Sequence, residues 1–103
     1  MDVMRKHVFD LYIAGHTFRS LEAAKNMKDL CEMYFPDNYM LNIIDVLDNP
    51  QAAENDKIIA TPTLVQKAPL TGRRIIGALS DRQALLRALG LESLHNMRSG
   101  DEV

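Results

Sequence analysis

Between residues 7 and 14 the sequence HVFDLYIA is dominated by β-branched, aromatic and other apolar side chains and stops at Gly15, the pattern of a buried strand. Thr17 then offers an N-cap hydroxyl. Leu21, Ala24, Met27, Leu30, Cys31 and Tyr34 recur at helical spacing until Pro36-Asp37-Asn38, so a helix is expected over 18–35. Residues 39–47 read as a second strand, with Asn49 as a helix cap and Pro50 as the first helical residue. A strand–helix–strand unit of this length implies two parallel strands bridged by the helix.

The second half is patterned less regularly. Residues 51–57 are a polar, weakly helical link, and 58–65 are strand-like but hold Pro62, which lacks the amide a ladder needs and argues for an edge, a bend or a cis bond. Pro69 and Thr71-Gly72 mark a turn, and 73–79 read as a further strand. Ser80-x-x-Gln83 has the form of a capping box for a last helix that Gly90 can close. The order predicted from local pattern is βαβαββα, in one domain over 1–93 with a polar, mobile tail at 94–103.

Composition narrows the function classes. The chain has 103 residues, 47% of them apolar and 25% charged, as expected of an ordinary soluble domain without room for a separate cofactor domain. A net charge of −2 and a pI near 5.8 give no general attraction for nucleic acid. Neither a secretory leader nor a run of eighteen apolar residues is present, so no membrane contact is expected and the reading is cytoplasmic. A single cysteine suits a reducing compartment. Charge falls in blocks: residues 31–56 carry Glu32, Asp37, Asp45, Asp48, Glu54 and Asp56 with no basic residue, whereas 57–87 carry Lys57, Lys67, Arg73, Arg74, Arg82 and Arg87 against Asp81 alone. Such polarity fits self-association or a protein partner, or ion pairing within the fold.

A helix after the first strand and an X-Pro before a later one is the layout of a thioredoxin-like domain. The slot where an oxidoreductase keeps its low-pKa cysteine holds Gly15-His16-Thr17-Phe18-Arg19-Ser20, without a thiol. Cys31 lies about three turns further along and reads as a small buried hydrophobe. His7, His16 and His95 lack metal-ligand spacing, and no phosphate-cradling glycine loop exists, so neither metal nor other cofactor is expected.

Three segments carry a resemblance: Leu-Tyr-Ile-Ala-Gly-x-Thr at 11–17, Ile-Asp-Val-Leu-x-Asn-Pro-Gln-x-Ala-Glu-x-Asp-Lys-Ile-x-Ala-Thr-Pro-Thr-Leu at 44–64, and Arg-Arg-Ile-Ile-Gly-x-Leu-Ser-x-Arg at 73–82. Together they resemble the KaiB clock-protein family. The resemblance implies a non-enzymatic regulator that binds the hexameric kinase-ATPase KaiC, in a clock or a stress response. It also implies two folds: a resting βαββααβ form, a homo-oligomer (dimer or tetramer) and usually tetrameric, and a rarer monomeric thioredoxin-like βαβαββα form that engages KaiC. The resting form is the one expected of a purified sample.

On this resemblance Lys57, Arg73 and Arg74 are the cations expected to meet an acidic face of KaiC, or to pair between subunits of the oligomer. Thr61, Pro62 and Thr63 match the family's proline motif, where the thioredoxin-like proline is cis. Ala88 and Gly90 stand where a glycine and an aspartate are typical, in the segment that differs between the two folds, and Ala88 favours a helix there. Glu22, Asn42 and Gln66 stand where cyanobacterial members carry basic residues; Asn42 argues against a contact with KaiA, and Glu22 and Gln66 alter the surface offered to KaiC. The competing readings are a thioredoxin-like thiol- or glutathione-handling protein using Thr17 or Ser20 with Cys31, and an adaptor for another kinase.

Overall fold

The first apolar run becomes β1 (His7–Ile13), and its alternation organises both faces of the sheet: Phe9, Leu11 and Ile13 enter the core, while Asp10 and Tyr12 face the other way. The computed structural model describes residues 6–69, 72–77 and 79–91. After β1 come α1 (Phe18–Tyr34), β2 (Tyr39–Asp45), α2 (Pro50–Asn55), β3 (Thr63–Ala68), β4 (Arg74–Ile76) and α3 (Arg82–Ala88). The strand order in the sheet is β2-β1-β3-β4, with β1 parallel to β2 and antiparallel to β3, and β3 antiparallel to β4.

This is the βαβαββα order predicted from local pattern; the βαββααβ order implied for a resting form is a different arrangement from the one described. The reason lies in the second half. Pro62 sits just outside β3, so ladder pairing with β1 begins at Thr63 without a missing amide. Residues 82–88 are capped at both ends as a helix. Asp81, not Ser80, is the N-cap: its carboxylate accepts from the Ala84 amide at 3.2 Å. At the other end the Leu91 amide bonds the Leu86 carbonyl and the Gly90 amide bonds that of Arg87, a Schellman closure that requires the φ of +74° adopted by Gly90.

α1 begins as predicted, with Thr17 Oγ1 accepting from the Ser20 amide at 3.1 Å. Its buried stripe holds Met27, Leu30 and Cys31 as predicted, with Ala24 and Tyr34 partly buried against the core, but it opens with Ser20 and Ala23, and Leu21 faces solvent. Ser20 can face inward because its hydroxyl accepts from Thr17 Oγ1. α1 and α3 cover one face of the sheet and close the core around Leu64, Ile75, Leu79 and Leu85. Burying each such side chain is worth ~1.5–3 kcal/mol. The second strand stops at Asp45 rather than at 47, because the Asp45 carboxylate accepts from the Gly15 and Leu47 amides and turns the chain. The last strand shrinks to three residues. α2 begins at Pro50, but Asn49 makes no side-chain capping bond, and none of its six residues is buried. The expected tail at 94–103 lies outside the described residues. Among those described, no helix is long and apolar enough to cross a membrane.

Candidate partner-binding surface

α2 ends in a second Schellman closure. The Ile58 amide bonds the Ala53 carbonyl, the Lys57 amide bonds that of Glu54, and Lys57 therefore occupies the left-handed position with φ +55°. Glycine takes that conformation freely, whereas a lysine there costs about 1 kcal/mol. The chain then runs outward through Ile59, which is 89% exposed, before Thr61 and the buried Pro62, joined by a cis bond, return it to the sheet.

This turn borders a cleft of about 320 Å³ lined by Lys57, Ile58, Ile59, Thr63, Arg74 and Ile76. A neighbouring depression of about 210 Å³ shares Ile58 and Ile59 and extends to Val46, Ala53, Ala60 and Thr61. Thr63, Arg74 and Ile76 meet here because Thr63 pairs with Ile76 and Val65 with Arg74, which puts these residues on the sheet face opposite the core. The Thr63 hydroxyl donates to the Ala60 carbonyl at 2.6 Å, holding the loop's return. Two cations thus border an apolar floor half open to solvent, with Ile76 52% exposed.

Beneath the cleft's rim, Asp56 joins four parts of the chain. Tyr12 Oη donates to its carboxylate, Lys67 Nζ lies 2.9 Å from it, and the Arg74 guanidinium donates to its backbone carbonyl. Tyr12 and Lys67 hold the Asp56 carboxyl below the usual carboxylate range, and burial followed by Asp56 itself raises the Tyr12 phenol above its ordinary value.

Of the residues picked from the sequence, Lys57, Thr63 and Arg74 share one cleft and Thr61 and Pro62 its neighbouring loop. Arg73, Ala88 and Gly90 are elsewhere. Adjacent residues along an extended chain point to opposite sides, so Arg73 turns to the end of α3, where Nη1 bonds the Ala88 carbonyl at 3.4 Å and lies 3.9 Å from the Cβ position of Gly90. The two arginines do not form one patch. Sequence reasoning missed Tyr12, Asp56, Lys67, Ile59 and Ile76; the readable signal was a tyrosine alternating with core residues in β1, a buried phenol that needs a hydrogen-bond partner. Of the three departures noted, Gln66 is buried with its Oε1 unpartnered, and Asn42 donates to Asp10 at 2.9 Å. Cys31 is fully buried, and burial followed by the nearby Glu32 charge pushes its thiol up to about 12, which gives the thiol-handling reading no thiolate. No group of three or more metal-ligating side chains occurs among the described residues.

Comparison with known proteins agrees with this architecture. The chain is 48% identical over 95 residues to the circadian clock oscillator protein KaiB of a Synechococcus species, covering 92% of this chain and 91% of that protein. It is 49% identical over 96 residues to that of Microcystis aeruginosa, with 92% and 90% covered. Among solved structures, the N-terminal domain of Synechococcus elongatus SasA superposes with a TM-score of 0.66 at 22% identity, covering 82% of this chain and 84% of that one. Oxidised mitochondrial thioredoxin 3 of Saccharomyces cerevisiae gives 0.65 at 19%, with 88% and 82% covered, so the fold is thioredoxin-like. The KaiB domain model matches residues 10–91, and with relatives this similar over nearly their whole length the chain belongs to the KaiB family of circadian clock oscillator proteins.

Proposed function

We propose that this protein is a regulator without catalysis of its own, which binds a KaiC-type hexameric ATPase in the cytoplasm through the cleft between Lys57 and Arg74 and so modulates it in a clock or stress response. The observation that carries the reading is Lys57 itself. A lysine kept in a left-handed position where glycine would fit without strain points to a task for its side chain. Two cations beside Ile59 and Ile76 suit a partner surface on which carboxylates flank apolar side chains.

The fold described here is the binding-competent one in this proposal, and a βαββααβ oligomer, dimer or tetramer, is its resting counterpart. A gap of a few kcal/mol between them is what a ligand-driven exchange requires. Ala88, Gly90 and the Thr61-Pro62-Thr63 segment are the proposed control points, since the first two sit at the end of α3 and the third opens β3. Arg73 takes part through α3 rather than through the cleft.

Native mass spectrometry of the protein alone and after hours with its host's KaiC-type hexamer and ATP tests the proposal. An oligomer that converts to a complex with about six copies per ring, one for each subunit of a symmetric hexamer, is the expected result. A protein that never joins the ring would move the function to another partner, such as a different kinase.

A further inference from the structure

α2 is six residues long and buries none of them fully, with only Ala52 and Ala53 half-buried, so packing of its own gives the loop that follows it little hold. That loop nevertheless keeps a strained lysine and an isoleucine almost wholly exposed, both of which solvent and chain entropy would otherwise release. Something polar must hold it. The Asp56 carboxylate accepts from β1 through Tyr12 and from β3 through Lys67, while its carbonyl accepts from β4 through Arg74. Tyr12 is 2% exposed and Asp56 lies 44 residues away in sequence, so this contact is a tertiary restraint rather than a local turn.

We propose that Asp56 is the positioning residue of the cleft, fixing the loop between α2 and β3 so that Lys57 and Ile59 stand ready before a partner arrives. The inference rests on the reading of that cleft as the partner site. Ordering the loop in advance removes part of the entropy otherwise lost on binding, and apparent affinity falls in proportion to the fraction of molecules with the loop out of place. Losing a charge-assisted hydrogen bond of this kind shifts such a population by about tenfold.

The test uses the full chain as wild type, Asp56→Asn and Tyr12→Phe, the last of which keeps the ring and removes only the hydroxyl. Amide hydrogen exchange is read by NMR, and binding to the KaiC-type hexamer is read in parallel. The expected result is that amides of residues 57–60 exchange about tenfold faster in both variants while those of β1 and α1 keep their wild-type rates. Affinity falls by a similar factor, and Lys57→Ala costs less affinity in the Asp56→Asn background than in wild type. Unchanged exchange at 57–60 would overturn the proposal, and so would acceleration spread evenly over the whole chain or strictly additive costs of the two substitutions. Faster local exchange in a protein whose wild type does not bind the hexamer would leave the positioning role standing and overturn the choice of partner.

Discussion

At the scale of single residues, the most informative position is the one where conformation and side chain disagree. Replacing Lys57 by glycine relieves the left-handed strain, so Lys57→Gly should raise the stability of this fold by up to about 1 kcal/mol in chemical denaturation while weakening partner binding. A lysine present only as helix terminator would give the first effect without the second. Asp45 offers a pH test. The Gly15 amide, followed by that of Leu47, lowers its carboxyl below the ordinary value, so the folded protein holds this group's proton less tightly than the unfolded chain. Its contribution is therefore complete above the ordinary carboxylate range and is lost as pH falls through the folded value. In thermal unfolding followed from pH 6 down to pH 3, wild type should lose more stability than Asp45→Asn, whose amide oxygen still accepts both bonds; parallel curves would refute the assignment.

At the scale of elements, what the sequence announced depended on whether the signal was local. Thr17, Pro50 and Gly90 act where they were read because caps and closures are decided within four residues. Thr17→Ala should accordingly cost about 1 kcal/mol of stability in denaturant titration. The last helix shows the limit: Ser80 and Asp81 are both competent caps, and it is the Asp81 carboxylate that accepts from the Ala84 amide. Only the start of α1's buried stripe was misread, at Leu21 in place of Ser20, because Ser20, polar by composition, is satisfied by Thr17. Short strands and the Asp56 contacts were not legible, since their partners lie beyond the reach of local pattern, at 11, 18 and 44 residues in the case of Asp56. Ala88 is the final helical residue of α3, so Ala88→Gly should shift the balance away from this fold by less than the ~1 kcal/mol of a helix interior. Circular dichroism together with molecular mass measures that shift.

At the scale of the whole molecule, the blocks of charge along the chain resolve into separate tasks. Asp56 and Lys67 pair within the fold, Arg73 serves α3, and Lys57 and Arg74 line the cleft. Charge reversal should therefore discriminate among cations that look alike in sequence. Lys57→Glu and Arg74→Glu are expected to slow association with the hexamer and to remove most of its dependence on ionic strength, whereas Arg87→Glu should leave both unaltered; stopped-flow rates across a salt series decide.

β4 is three residues long, yet Arg73 just before it reaches the end of α3 on one face of the sheet and Arg74 within it reaches the end of α2 on the other. A peeling of this short edge strand thus breaks one contact on each side of the sheet in a single event, while Tyr12 and Lys67 still hold Asp56 to β1 and β3. Two neighbouring arginines, one before the strand and one within it, make a single short edge the place where the two sides of the sheet are joined.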